Sequence, residues 1–273
     1  MSMPFDFALL RFTEDENIAE RVYWYLCDGD LSEGDRVLAP VGSHNRLQLA
    51  RVEKVLRAEE KGAPYQISLL KRVTAKYGAR RIPLSFAKNC RELGGIRYGE
   101  KFFTRYNVFL RSDFPTDRED VKLLRNYGVN VFVDLREESE RKEEESEISP
   151  IQCPLSGDPQ CDYRELAESE GTQRALVELA AAQGCALFGC GAGKDRTGVI
   201  AAILLLLAGA SDERVKDDFC LSYRAVGETR REVRERKLSS FFDAIGMRGG
   251  IEGYLADIGV GANTVIRLKQ KLR

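Results

Sequence analysis

The pattern of apolar and polar positions changes in style about a third of the way along the chain. Up to about residue 75, the chain has short stretches such as the β-prone "RVYWYLCD" (21–28) and "LQLARVEKVLR" (47–57), in which apolar and polar residues alternate. Such alternation, interrupted by glycine-containing turns, predicts β-strands with one buried face. We therefore predict a small all-β, barrel-like domain of four or five strands over residues 1–80.

From about residue 85, continuous apolar runs alternate with helical patterns. The runs "VFLRSDF" (108–114), "VNVFVDLR" (129–136) and "CALFGC" (185–190) are predicted to be strands, because buried parallel strands are apolar on both faces. A helix is expected after Thr116 or Asp117, and another over "GTQRALVELAAAQ" (171–183). Residues 81–273 therefore predict an α/β domain with a central, mostly parallel sheet, whose sites lie beyond the carboxyl ends of the strands.

Composition narrows the class of protein. The net charge is −1 over 273 residues, so no basic field favours nucleic acid or an anionic membrane. The longest apolar run, 199–210, is shorter than the ~20 residues of a membrane span and predicts a buried helix. The N-terminus lacks the pattern of a signal peptide. We expect a cytoplasmic protein that does not bind membranes.

The cysteine and histidine content also favours a cytoplasmic protein. The seven cysteines form no C-x-x-C pair and the only histidine is His44. This usage is typical of a reducing compartment and speaks against metal sites built from histidine and cysteine clusters.

The stretch "GCGAGKDRTG" (189–198) joins a predicted strand to the apolar helix. Glycines allow backbone N–H groups to converge on an anion, and a helix N-terminus favours negative charge. A nucleotide-binding loop would need G-x-x-x-x-G-K-[ST]. Here Gly189 and Gly193 enclose only three residues, and Asp195 stands in place of the hydroxyl. The alternative pattern C-x-x-x-x-x-R is satisfied by Cys190 and Arg196.

This second pattern predicts chemistry at phosphorus. Converging amides, a helix N-terminus and neighbouring cations favour the thiolate form of Cys190, which can attack a phosphoryl group in line. The guanidinium of Arg196 would hold the phosphoryl oxygens. The hydroxyl of Thr197 would make the sulfur a better leaving group in the second step. The predicted phosphate-binding residues are Gly191, Ala192, Gly193, Lys194, Asp195 and Arg196.

With its flanking motifs, this loop resembles the cysteine-dependent protein tyrosine phosphatase superfamily. "CGAGKDRTG" resembles the C-x-x-G-K-D-R-T-G loop of its bacterial and fungal branch, and "NCRELGG" (89–95) and "GASDERVKDDFCLSY" (209–223) resemble its flanking segments. The resemblance covers about residues 85–273. It implies a three-layer α/β fold, a phosphocysteine intermediate and no metal cofactor. The implied partner is a phosphorylated protein or another phosphomonoester, and the implied source is bacterial.

The loop departs from the family at one position. Family members usually have a histidine directly before the cysteine, where this chain has Gly189. We expect a weaker but not abolished thiolate, so a weakly active or inactive, phosphate-binding pseudo-phosphatase stays an alternative. Lys194, if it faces the substrate, would favour a phosphoinositide or inositol phosphate, which is a further alternative.

The general acid has two candidates. Family members often supply an aspartate about 30 residues before the cysteine, and "PLSGDPQCDY" (154–163) offers Asp158 and Asp162. In the K-D-R branch the loop's own aspartate, Asp195, competes for the role. Both alternatives stay open.

Two other segments of the sequence also predict structure or function. "YLCDGDLSEGDRVLAPVGSHNR" (25–46) resembles the small N-terminal β-barrel of the primosomal DNA helicase, which contacts DNA ends. Without a basic excess we expect a docked accessory domain, with a nucleic-acid-linked protein as the alternative. "EESERKEEESEISP" (137–150) is predicted to be a solvated charge run, and Asp134 and Arg136 a structural ion pair.

Overall fold

A computed structural model gives the fold and divides the chain into two compact units. It describes residues 4–12, 21–27, 31–43, 46–73, 75–76, 80–82, 84–100, 102–141, 148–156, 163–225 and 231–273. The smaller unit comprises Met1–Ala79 and Asn126–Gly128, and the larger unit comprises Arg80–Arg125 and Val129–Arg273.

The smaller unit contains an antiparallel sheet. Its strands are β1 (Phe5–Phe12), β2 (Val22–Cys27), β3 (Arg36–Val41), β4 (Arg46–Ala58) and β5 (Ala75–Lys76). They pair in the order β2-β1-β4-β3-β5. Every second residue of β1 from Ala8 to Phe12 is buried in this unit's core, as a strand with one buried face requires. Closure of the sheet into a barrel stays a prediction.

The larger unit is built around a second sheet. Its strands are β6 (Arg91–Glu92), β9 (Phe109–Asp113), β10 (Val129–Asp134), β11 (Ile151–Gln152) and β12 (Cys185–Cys190), with a separate hairpin of β7 (Arg97–Tyr98) and β8 (Phe102–Phe103). The order is β11-β10-β12-β9-β6. All neighbours are parallel except β6, which pairs antiparallel with β9. The predicted mixed α/β fold with a central, mostly parallel sheet is confirmed.

The α-helices of the described residues begin at Arg118 and follow one another to Leu272. They are α1 (Arg118–Tyr127), α2 (Tyr163–Glu168), α3 (Glu170–Ala181), α4 (Asp195–Ala208), α5 (Asp212–Ala225), α6 (Arg231–Met247), α7 (Ile251–Asp257) and α8 (Ala262–Leu272). Asp117 caps α1, because its Oδ1 accepts the N–H groups of Glu119 at 2.8 Å and Asp120 at 3.2 Å.

The apolar run 199–210 forms most of α4, which is buried along nearly its whole length. It belongs to the larger unit's main core, together with side chains of β10, β12 and the helices α2 to α8. Within the part of the chain that the structure describes, no helix combines the length and apolar character needed to cross a bilayer.

The strand register places one loop at the carboxyl edge of the sheet. Gly189, near the end of β12, lies opposite Ser112 of β9 and Asp134 of β10. The chain then turns through residues 191–194 into α4. The loop therefore leaves the sheet between the ends of two neighbouring parallel strands, where α/β folds place their ligands.

Candidate active site

The loop that follows β12 is fixed at its base by both neighbouring strands. The carbonyl of Gly189 accepts the N–H of Leu135 at 2.8 Å, and the carbonyl of Cys190 accepts the N–H of Phe114 at 2.7 Å. Cys190 is only 3% exposed. Its side chain thus lies on a rigid strand end rather than on a mobile turn.

Gly193 allows the loop to turn closely over the end of β9. Its φ is +62°, in the left-handed region, and a Cβ at this position would lie 2.2 Å from the backbone nitrogen of Asp113. Any other residue would be strained and would collide with backbone atoms. The tight loop therefore depends on glycine here.

Two side chains from distant segments hold the loop's carbonyl groups. Asn89 Nδ2 donates to the carbonyls of Ala192 at 3.1 Å and Gly193 at 2.8 Å. Arg111 Nη2 also donates to the Gly193 carbonyl at 3.0 Å. In a trans peptide the C=O and the following N–H point in opposite directions. The N–H groups of Gly193 and Lys194 are therefore directed away from Asn89, as an anion-binding nest requires.

A buried charge cluster supports these two side chains. The carboxylate of Asp218, on α5, binds Arg80, Arg91 at 3.1 Å and Arg111. Ser222 adds its hydroxyl oxygen, which accepts from both Arg91 and Arg111 at 2.8 Å. The cluster joins α5, β6 and β9 behind the loop.

The cluster carries more positive than negative charge. Burial disfavours ionised Asp218, but the three arginines outweigh this and hold its pKa well below the ordinary value. Burial and the nearby charge of Arg91 lower the pKa of Arg111 to about 9. Three cations around one carboxylate place a positive potential behind the loop, which favours an anion on the loop's other side.

The thiol of Cys190 has a hydroxyl partner. Thr197, in the first turn of α4 and fully buried, donates from Oγ1 to Cys190 Sγ at 3.0 Å. The hydroxyl is thus placed to donate to the sulfur when the sulfur carries negative charge. The structure thus brings together two residues that the sequence assigned to one reaction.

Arg196 is held by a residue that the sequence analysis did not select. Both terminal nitrogens of its guanidinium donate to the two carboxylate oxygens of Glu140. Glu140 Oε2 also accepts the N–H of Glu137 at 2.8 Å. The hydrogen bonds from Arg196 lower the pKa of Glu140 to about 2. Glu140 is exposed, as the predicted solvated charge run requires, but its charge is also engaged by the loop's arginine, which was not predicted.

Asp195 opens α4 with its carboxylate bound on both oxygens. Oδ1 accepts the hydroxyl of Tyr163, and Oδ2 lies 3.7 Å from Lys194 Nζ. The side chains of Lys194 and Asp195 are each 17% exposed, whereas Gly191 and Ala192 are exposed to solvent. The competing acid candidates Asp158 and Asp162 lie outside the described residues.

Crowding by β9 accounts for a glycine before the cysteine. A Cβ on Gly189 would lie 2.8 Å from the carbonyl oxygen of Ser112 and 3.2 Å from backbone atoms of Phe114. A histidine at this position would require the two strands to move apart. In this chain Asn89 and Arg111 hold the loop through the Gly193 carbonyl.

The remaining candidate residues have structural surroundings. Arg136 binds Asp134 through Nε at 3.1 Å and covers the ring of Phe114 with its guanidinium at 4.6 Å, so the expected ion pair is present at the end of β10. The six described cysteines, Cys27, Cys90, Cys153, Cys185, Cys190 and Cys220, are buried and unbridged. Cys161 and His44 lie outside the described residues.

Comparison with known proteins agrees with this geometry. A family model described as "Tyrosine phosphatase family" matches residues 82–273. A search of curated proteins finds no significant match. Because the family match spans well over half of the chain, the protein belongs to the tyrosine phosphatase family, and its domain is that of a phosphatase-type hydrolase. The predicted membership of the cysteine-dependent tyrosine phosphatase superfamily is confirmed.

Proposed function

We propose that this tyrosine phosphatase family member hydrolyses phosphomonoesters through a phosphocysteine intermediate on Cys190. The observation that carries the proposal is the Thr197 hydroxyl at 3.0 Å from Cys190 Sγ, at the start of a helix whose first turn also carries Arg196. Nucleophile, sulfur-stabilising donor and oxyanion-binding cation thus lie within one loop and one turn of helix.

The first step transfers the phosphoryl group to sulfur. The Cys190 thiolate attacks phosphorus, an S–P bond forms and the P–O bond to the leaving group breaks. The leaving oxygen keeps the electron pair and takes a proton from Asp195, which becomes a carboxylate. Amides of the loop and Arg196 stabilise the charge that spreads over the other three oxygens.

The second step regenerates the enzyme. A water molecule attacks the phosphocysteine and gives its proton to the Asp195 carboxylate. The S–P bond breaks, inorganic phosphate is formed and Cys190 leaves as the thiolate, which accepts the Thr197 hydrogen bond. Asp195 is protonated again for the next turnover.

Glu140 orients Arg196 for this reaction. A guanidinium has five N–H donors, and the bidentate pair with Glu140 uses one on each terminal nitrogen. The remaining donors can bind phosphoryl oxygens while the carboxylate fixes the plane of the guanidinium. A charged group that is already oriented loses less side-chain entropy when substrate binds.

The substrate class we propose is phosphotyrosine or a related aryl phosphomonoester. The inositol phosphate alternative depends on Lys194 offering its charge to the substrate, and its Nζ forms an ion pair with Asp195 Oδ2 at 3.7 Å, which offsets part of the charge that a polyphosphorylated substrate would use. The unbridged cysteines support a reducing compartment, and we propose the cytoplasm.

Turnover of p-nitrophenyl phosphate by the full chain under reducing conditions tests the proposal. We expect vanadate-sensitive activity that Cys190→Ser abolishes, because serine is not ionised at neutral pH. Cys220→Ser, which alters a buried thiol of α5, should keep the activity. Acid-quenched enzyme should carry a phosphoryl group on Cys190, detected by mass spectrometry. No turnover by the wild-type chain, or full activity of Cys190→Ser, would overturn the proposal.

A further inference from the structure

A buried tyrosine holds one oxygen of the carboxylate that opens α4. Tyr163 is the first residue of α2, is fully buried, and donates its hydroxyl to Asp195 Oδ1. Its ring packs against Phe219 of α5, with ring centroids 5.4 Å apart. The hydroxyl is therefore positioned by the packing of two helices, independently of the loop itself.

The packing around this tyrosine is close enough to fix its position. Phe219 also abuts Gly198 in the first turn of α4, where a Cβ would lie 2.4 Å from a ring carbon of Phe219. Tyr163, Phe219 and the start of α4 thus form one closely packed group. A hydroxyl presented by such a group can orient a partner with little loss of entropy.

The two oxygens of Asp195 have different surroundings as a result. Oδ1 is occupied by the hydroxyl of Tyr163, whereas Oδ2 lies toward Lys194, whose side chain is partly exposed. A protonated carboxylic acid carries its proton on one oxygen. Because Oδ1 accepts a hydrogen bond from the protein interior, Oδ2 is the oxygen on the side of the partly exposed Lys194.

We propose that Tyr163 is a positioning residue that selects Asp195 as the general acid and directs Oδ2 toward the leaving-group oxygen. The inference rests on the proposed phosphatase activity and deepens it. In this proposal Asp195, rather than Asp158 or Asp162, donates the proton to the leaving group.

Leaving groups of different acidity test the proposal. Departure of p-nitrophenolate needs little protonation, whereas phenolate, with a conjugate acid near pKa ~10 as for tyrosine, depends on a general acid. For Tyr163→Phe we expect kcat/KM to stay within about twofold for p-nitrophenyl phosphate. For phenyl phosphate it should fall about tenfold, as for loss of one hydrogen bond that orients the acid.

Two further variants separate positioning from structure. In the Asp195→Asn background, adding Tyr163→Phe should cause no additional loss on phenyl phosphate, because the group that is positioned has already been removed. Tyr254→Phe deletes the hydroxyl of another fully buried tyrosine, on α7, and should show no dependence on the leaving group. It is the matched control for removal of a buried hydroxyl.

The outcomes are distinguishable. Equal losses on both substrates, no loss on either, or a loss that persists in Asp195→Asn would overturn the role of Tyr163 while leaving the phosphatase intact. Absence of wild-type turnover would overturn both proposals. If Tyr163→Phe does not fold, 3-fluorotyrosine at position 163 replaces it. Its more acidic hydroxyl must change the slope of log kcat/KM against leaving-group pKa, and an unchanged slope overturns the proposal.

Discussion

The crowded position before Cys190 yields a prediction whose magnitude follows from the structure. In Gly189→Ala, the new Cβ would meet the Ser112 carbonyl oxygen at 2.8 Å and two backbone atoms of Phe114 at 3.2 Å. No side chain can rotate to relieve these contacts, because all three atoms belong to the backbone. Relief requires β9 to move from β12 at the point where they are paired.

Overpacking of this kind costs about 1–3 kcal/mol. At about 2–4 °C per kcal/mol for a unit of 150–250 residues, the larger unit should melt about 2–12 °C lower. Gly191→Ala is the matched control in the same loop, because its Cβ would meet only Glu140 Oε1 at an ordinary 3.7 Å. Its unfolding free energy should change by about 0.5 kcal/mol or less.

Far-UV circular dichroism during urea unfolding of the full chain is the suitable assay. The described α-helices lie almost wholly in the larger unit, whereas the single tryptophan, Trp24, lies in the smaller one, so tryptophan fluorescence would follow the wrong unit. Gly189→His should be destabilised at least as much as Gly189→Ala and should not gain activity. A histidine variant as stable as wild type and more active would refute the claim that β9 fills this space.

Two further predictions concern charged side chains. Asp218→Asn leaves the buried Arg91 and Arg111 and the partly exposed Arg80 without their carboxylate and should lower the unfolding free energy by about 3–5 kcal/mol. Asp217→Asn, at a side chain that is 61% exposed, should change it by less than about 1 kcal/mol; equal urea midpoints would contradict the cluster's role. The pKa of Glu140 is lowered from 4.5 to about 2, so its pairing with Arg196 stabilises the fold above pH ~4.5 and is lost as the pH falls toward ~2. Because the Glu140 side chain is 36% exposed, solvent screening reduces the stabilisation by this ion pair to about 1 kcal/mol. Glu140→Gln should remove the pair's contribution to the pH dependence of acid unfolding. An unchanged unfolding profile would show that the pair contributes nothing.

The parts of the fold that depend on local sequence could be predicted. The continuous apolar runs at 129–136 and 185–190 became β10 and β12, because strands buried on both faces need no polar alternation. The cap at Asp117 and the buried helix α4 followed from residue type and length. The two-residue strands β6 and β11 were not predicted, since so short a segment has no periodicity.

The support of the loop was not predicted for a different reason. Asn89 and Arg111 lie 82 to 104 positions before the loop residues whose carbonyls they bind. Asp218, on α5, binds the side chains of Arg91 and Arg111. No spacing rule joins such segments, because the sheet brings them together. Glu140 was assigned to solvent from its charged neighbours, although an arginine pairs with it. The sequence signal that could have identified Glu140 is its position: it is an acidic residue that follows the end of β10, at the carboxyl edge of the sheet.

The site thus has two layers that respond to different measurements. Asn89, Arg111 and Asp218 hold the loop's backbone and supply charge from behind, and they act on the phosphoryl group that every substrate shares. In the proposed mechanism Tyr163 acts on Asp195, whose proton goes to the leaving group in the first step. Asp218→Asn should therefore lower kcat/KM by the same factor for p-nitrophenyl and phenyl phosphate, while Tyr163→Phe separates them. If both variants showed the same dependence on leaving-group acidity, the support of the loop and the positioning of the acid would not be separable. The division into two layers would then be wrong.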